Sequence, residues 1–408
     1  MSQQGPILLV STVQRPSFAT SLDVDKVFPV IKADWADAPR AVDQVQPAAV
    51  VADCTEIEET ALAALATRVA ARQPYLPLIA IDPRTTLPDT AIPFFQVQGH
   101  ADRLIARLRV ALRIRALHAT VMRRQGPAAP VALSRIDLAH EATVLLIGRG
   151  GSYPTLSVML GERTGIVGAL SIEAAANHLN VRDIDGIVLG EGFSPRVVDA
   201  FLTVLAEDAR FRHLPVVVTS GDPARSYDLP NLETVAGDAA GVATTVLPLI
   251  RQHAFEAQLS RMLKSIDADG LIDTRSGLLT PAAFDRDFAS AVYQTQERGG
   301  GLSVARFAFD PAHPRAQIDG ARIISRLMRQ MDFGATGEDG SVVVAFADTD
   351  LKTAHAVARR LSSVMRHTSH GARDTRSEPV VTVATLLPKD SAKSLLARLV
   401  QDPQRAAS

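Results

Sequence analysis

The chain has 408 residues, with 43 Lys and Arg set against 44 Asp and Glu for a formal net charge of −1. Both signs are mixed along its length, so no field draws it to nucleic acid or an anionic membrane, and neither is expected as a partner. At about 150 residues per domain, the length predicts roughly three domains, each able to bury a core.

The one cysteine, Cys54, can form neither an internal disulfide nor a metal cluster, which fits a reducing compartment. The opening MSQQGPILLV lacks the basic and apolar regions of a signal peptide, and no apolar run reaches the length of a membrane span, so a cytoplasmic location is expected.

The first segment gives apolar strands ILLV (7–10), AAVVAD (48–53), LPLIAID (76–82) and FFQV (94–97), alternating with helical stretches such as ETALAALATRVAARQ. This alternation predicts a parallel sheet with helices on both faces. It closes on ADRLIARLRVALRIRALHATVMRR, where Leu104, Leu108 and Leu112 form an apolar stripe and Arg103, Arg107 and Arg113 are expected on a solvated face.

After the breaker GPAAP (126–130) the pattern restarts with TVLLIG, DGIVLG (185–190), LPVVVTSG (214–221), a weak fifth strand near LETVA and a closing helix. Two copies of one doubly wound architecture are therefore expected, with function in the loops beyond the carboxyl ends of the strands. From Thr244, the residues Phe255, Leu259, Met262 and Ile266 recur at coiled-coil spacing over about two heptads. That fits either a short dimer seam or a helix packed on a neighbour.

In order and length, the two segments resemble response-regulator receiver domains, the phospho-acceptor modules of two-component signalling and phosphorelay. The resemblance implies an acidic pair after strand one, an Asp ending strand three, a Thr or Ser ending strand four and a Lys after strand five. Asp53 stands at the phospho-acceptor position, but Ser11 and Thr12 replace the acidic pair, Asp82 falls near the hydroxyl position and no Lys follows FFQV. In the second copy, Gly148 and Arg149 replace the acids, Gly190 stands at the acceptor position, Glu191 is off by one and Ser220 matches the hydroxyl. Both copies read as pseudo-receivers; Asp53 is a candidate phospho-acceptor or an ordinary polar strand end.

The remainder resembles a GGDEF domain, the diguanylate cyclase fold. Of the opening D-x-L-T-G-L-x-N-R, Asp273, Gly277 and Leu278 match, while Thr280 and Pro281 stand at the Asn and Arg positions. VVVAFADTDLKTAHAVARRLSSVM and EPVVTVATLLPKDSAKSLLARL match the later strand, helix, strand and closing helix. The layout is that of a PleD-like regulator: pseudo-receiver one (1–124), linker (125–140), pseudo-receiver two (141–240), connecting helix (241–268) and a degenerate GGDEF domain (269–408).

The resemblance sets Glu338, Asp339, Gly340, Ser341 and Val342 at the GGDEF positions, and none of the five matches. An active cyclase uses two glycines there to admit the nucleotide and an acid to hold the metal that neutralises triphosphate charge. Gly340 stands at the acid, Ala308 at a second metal ligand ahead of Asp310, and the guanine-gripping loop is shortened to PAHPRAQIDG. No catalytic residue and no required cofactor is therefore expected.

The same register gives a positive match. The family's inhibitory R-x-x-D falls on Arg329 and Asp332, and a further family arginine on Arg360. A guanidinium forks onto guanine O6 and N7 or onto a phosphate, and a carboxylate accepts from guanine N1 and N2 hydrogens, so cyclic di-GMP is the implied regulatory ligand. The bland alternative is an i, i+3 ion pair on a wet helix end. The ten histidines show no metal-site spacing, His367 and His370 being the closest pair. Asp348 and Asp350 are expected to cap the following helix.

Three functions follow: a silent signalling protein that binds cyclic di-GMP and protein partners, with a homodimer among them; a ligand-free scaffold or dimerisation module; and an active diguanylate cyclase.

Overall fold

Two apolar runs, the strand Ile7–Val10 and the first four residues of the strand Ala49–Asp53, lie side by side in parallel, which is the arrangement that their burial requires. A computed structural model describes residues 5–14, 16, 18–19, 22, 28–55, 57–84, 87–96, 102–125, 138–220, 227–298, 301–329, 331–366, 368–370 and 378–401. The expected breaker GPAAP and the residues Val97 and His367 lie outside the described residues. The chain forms two compact units: Met1–Ala139 with Leu146–Met159 and Asp185–Leu259, and His140–Leu145 with Leu160–Ile184 and Ser260–Ser408.

In the first unit, strands β1 (Ile7–Val10), β2 (Val30–Ala33), β3 (Ala49–Asp53), β4 (Leu78–Ile81) and β5 (Ala91–Phe94) form a parallel sheet in the order β2-β1-β3-β4-β5. Helices α1 (Ala38–Val45) and α2 (Glu59–Ala70) bury Val42, Leu62, Leu65 and Val69 against Leu8, Val50 and Leu78. Helix α3 (Asp102–Gln125) closes the segment. β2 escapes the sequence reading because VIKA is a half-exposed edge strand with no apolar run. The last strand is Ala91–Phe94 and not FFQV: Pro93 is tolerated at the sheet edge, and Gln96 leaves the ladder to bind Asp82.

A second correction concerns α3. Arg107 is not solvated but fully buried, donating to Pro93 O at 2.9 Å, Pro230 O at 2.6 Å and Glu233 Oε1 at 2.8 Å. Arg103 joins the same carboxylate, and Arg113 pairs with Glu256 at 2.6 Å. Arginine at helical spacing looks the same in sequence whether it faces water or a carboxylate brought from far along the chain.

The second sheet has the order β10-β9-β8-β6-β7-β14, with β6 (Thr143–Ile147), β7 (Gly165–Ala169), β8 (Gly186–Leu189), β9 (Val216–Val218), β10 (Leu232–Thr234) and β14 (Thr368–His370). β8, β9 and β10 pair in parallel; β14 adds antiparallel to β7, a strand whose two glycines hide it from hydropathy. The helices are α4 (Leu138–Glu141), α5 (Tyr153–Gly161), α6 (Ile172–Val181), α7 (Pro195–Glu207) and α8 (Ala239–Asp267). Phe255 of α8 meets Tyr75 and His118 edge-on at 5.3 and 5.4 Å, and Leu259 is fully buried, so these two positions of the heptad seam are occupied within the chain.

Within the second unit, α9 (Pro281–Arg298), β11 (Leu302–Ala308), α10 (Pro314–Leu327), β12 (Phe333–Thr336), β13 (Val342–Ala347), α11 (Leu351–Met365), β15 (Val380–Thr385) and α12 (Ala392–Gln401) follow in the expected order. Their antiparallel sheet runs β12-β13-β11-β15. Period-2 alternation splits its apolar residues between two cores: Ala305 and Phe307 pack with Ile323, Ile324 and Leu361, and Leu302 and Val304 pack with Phe284, Phe288 and Leu395.

Candidate functional site

β12 and β13 pair from Phe333↔Ala345 to Thr336↔Val342, which leaves residues 337–341 as the hairpin turn. Gly337 N donates to Ser341 O at 2.8 Å and Gly340 N to Gly337 O at 3.0 Å. Gly340 has φ +75, a conformation only glycine adopts without cost, and a Cβ there would collide with the side-chain amide of Gln317. Gln317 thus lies over the turn.

Asp339, one of the two acids of the turn, is held by the protein's own cation. Arg306 Nη2 donates to Asp339 Oδ2 at 2.6 Å and Arg306 Nε to Ser341 Oγ at 3.2 Å. Ser341 Oγ donates to Asp339 Oδ1 at 2.6 Å. Burial pushes the Asp339 carboxyl up, but the bonds from Ser341 and Arg306 and the guanidinium charge outweigh it and leave the group at about 2. Sequence reasoning missed Arg306, although period 2 puts it on the same strand face as Ala308.

Ala308 and Gly340, which the resemblance sets at the metal-ligand positions, offer no side-chain oxygen, and the nearby Asp339 already carries a guanidinium. Asp310 is committed locally: Oδ1 accepts from Ala312 N at 2.9 Å and Oδ2 lies 3.1 Å from His313 Nδ1. The backbone bond from Ala312 is the main cause that lowers its pKa.

Downstream of α10, Arg329 is exposed and Asp332 is 9% exposed. Asp332 N donates to Arg329 O at 3.0 Å, closing a tight turn, and Asp332 Oδ1 accepts from Ala347 N at 3.2 Å. Burial raises the Asp332 carboxyl above its ordinary value, partly offset by backbone hydrogen bonds to the carboxylate from Ala347 and Arg329 and by the Arg329 charge. Arg360 is exposed on α11. Neither Arg329 nor Arg360 forms an ion pair among the described residues, whereas Arg315, Arg322 and Arg326 of α10 are all bound.

Asp350 caps α11, accepting from Thr353 N at 2.7 Å, while Asp348 does not and takes φ +48 instead. The matched Asp273 and Gly277 form a turn: Gly277 N donates to Asp273 O at 2.9 Å, and Ser276 N to Asp273 Oδ2 at 2.9 Å.

At the receiver-like strand ends, Asp53 accepts from Ser11 Oγ at 3.0 Å and from Thr55 N at 3.3 Å. Ser220 Oγ donates to Gly190 O at 3.4 Å. Among the described residues no three His, Cys, Asp or Glu gather to hold a metal ion, and no helix is long and apolar enough to cross a membrane.

No family model and no curated protein matches the chain. Solved structures similar to it include the coiled coil and GGDEF domain of DgcB from Caulobacter crescentus in complex with c-di-GMP, at 18% identity over 37% of this chain and 88% of that one, with a TM-score of 0.30. The FimX GGDEF domain from Pseudomonas aeruginosa is similar at 17% identity, over 33% and 93% of the two chains, with a TM-score of 0.30. Diguanylate cyclase SiaD in complex with its activator SiaC, from the same organism, is similar at 15% identity, over 36% and 65%, with a TM-score of 0.31. At these identities and scores, the likeness assigns neither activity nor ligand.

Proposed function

We propose that the chain is a catalytically silent signalling protein that binds cyclic di-GMP at Arg329, Asp332 and Arg360 and engages protein partners through its receiver-like surfaces. In this reading residues 269–408 are a degenerate GGDEF domain preceded by two pseudo-receivers. The observation that carries the ligand is the pair of exposed arginines without an ion pair, next to α10 and on α11, beside a carboxyl held one tight turn from Arg329. A guanine edge and a phosphate ask for this set: a fork of donors, a point of positive charge and an acceptor.

Silence is supported by the turn itself. The Arg306 guanidinium occupies Asp339, beside the position where the family holds a metal, and Gln317 covers the glycine of the turn. Asp53, already bonded to Ser11 and Thr55, lacks the cation ligands a phosphotransfer would use.

Calorimetric titration of the full chain with cyclic di-GMP tests the reading. Heat with wild type and its loss in Arg329→Ala are expected; no heat with either rejects the ligand in favour of a ligand-free scaffold. Incubation with GTP and magnesium is expected to yield no cyclic product, and any product overturns the silent assignment.

A further inference from the structure

Helix α10 directs three arginines at backbone carbonyls where other elements of the second unit end. Arg315 Nη1 donates to Gly161 O at 3.2 Å and Thr164 O at 2.8 Å, just past α5. Arg322 Nη1 donates to Glu141 O at 3.1 Å, the last residue of α4, and Nη2 to Glu141 Oε2 at 3.3 Å. Arg326 Nη1 donates to Arg182 O at 2.9 Å and Asp183 Oδ1 at 2.7 Å, at the end of α6. The last carbonyls of a helix lack internal donors and carry its negative pole, so a guanidinium is well placed on them.

Arg182 answers in the opposite direction. Its side chain is fully buried; Nη1 donates to Asp319 Oδ2 at 2.9 Å, and Nη2 donates to Val364 O in the last turn of α11. Asp319 of α10 is itself 9% exposed at its side chain. A guanidinium and a carboxylate this far from water support each other only as a pair, because removing either strands the other charge in a medium that does not solvate it. One residue therefore touches α10 through its side chain, α11 through a carbonyl and Arg326 through its own carbonyl.

We infer that the buried Arg182–Asp319 pair is a conformational clasp that locks α10 and α11 to the end of α6. The clasp does not depend on any ligand at Arg329. It also takes the α10 face bearing Arg315, Asp319 and Arg322 out of use as a surface for nucleotide or partner, since all three are buried.

Amide hydrogen exchange on the full chain tests this. In Arg182→Ala, amides of α10 and the last turn of α11 are expected to exchange about tenfold faster or more, while strands β1–β4 keep their protection. Asp319→Ala is expected to expose the same amides, and the double variant to add nothing to either single change, as for two halves of one contact. Unchanged exchange in α10 and α11, additive effects, or loss of protection spread evenly into β1–β4 would each overturn the clasp. Should either buried change prevent folding, Arg326→Ala at the more exposed rim reads the same amides, and their unchanged exchange rejects the proposal.

Discussion

The guanidinium of Arg107 lies 2.8 Å from the carboxylate of Glu233, with both side chains sealed from water at 0% and 1% exposure. Arg107 also holds Pro93 O and Pro230 O, so one side chain ties the end of β5 to the chain entering β10. Arg107→Ala is expected to lower stability by about 3–5 kcal/mol, because Glu233 would keep only the more exposed Arg103. Urea unfolding followed by circular dichroism measures it. The joint change Arg107→Met with Glu233→Leu, which leaves no stranded charge, is expected to cost less than Arg107→Ala alone.

Gly340 and Gln317 give the second prediction. Gly340→Ala forces a side chain into a φ of +75 and against the Gln317 amide. The backbone conformation alone costs about 1–2 kcal/mol. Gln317→Ala in the same chain is expected to relieve the collision but not the backbone cost, so the double variant falls between wild type and Gly340→Ala in thermal unfolding. Equal loss in single and double variants would show that the Gln317 amide swings aside from the turn at no cost.

The strands with the strongest apolar signal, ILLV, AVVAD and LIAI, were legible because burial on both faces leaves an uninterrupted run. β2 and β7 were not, since an edge position and two glycines remove that signal. The candidate site divides the same way. Arg329, Asp332 and Arg360 were nominated by local spacing and resemblance, whereas Arg306 against Asp339, Gln317 over Gly340 and Arg182 against Asp319 each join residues far apart in the chain. Such pairs leave no periodic trace, and Arg107 was misread for the same reason.

Asp339 sets an acid response. Its carboxyl is held at about 2 against an ordinary 3.8, so it stabilises the fold above the ordinary value and loses that contribution as pH falls toward 2. The side chain is 56% exposed, and water and salt screen the pair, so less than about 1 kcal/mol is expected. Asp339→Asn should therefore unfold slightly more easily at neutral pH and lose part of the acid dependence below about pH 4. Urea midpoints across that range check both statements, and an unchanged acid slope would count against the Arg306 bond.

Cys54 is expected to resist alkylation in the native chain. Burial raises its thiol to about 12, with the charges of Asp53 and Asp82 adding to the effect, so almost no thiolate exists at neutral pH. Iodoacetamide should label Cys54 only after denaturation. Rapid labelling of the folded protein would mean that the end of β3 opens.

In the proposed site Asp332 is expected to link ligand binding to pH with one sign and stability with the other. Burial raises its folded pKa above the ordinary 3.8, while the Ala347 and Arg329 backbone bonds and the Arg329 charge pull it back. Only the ionised carboxylate can accept the guanine N1 and N2 hydrogens with both oxygens, so the affinity for cyclic di-GMP is expected to be full at neutral pH and to fall at a higher pH than an ordinary aspartate would give. Stability runs oppositely: the fold holds this proton more tightly than the unfolded chain, so the contribution is complete below the unfolded value and lost as pH rises through the folded one. Asp332→Asn keeps an acceptor oxygen but cannot ionise, and is expected to bind more weakly at neutral pH while losing the acid dependence of binding. Calorimetric titrations of both proteins from neutral pH down toward 4 decide it. A wild-type affinity that stays flat over that range would remove Asp332 from the site and leave the two arginines alone as the binding groups.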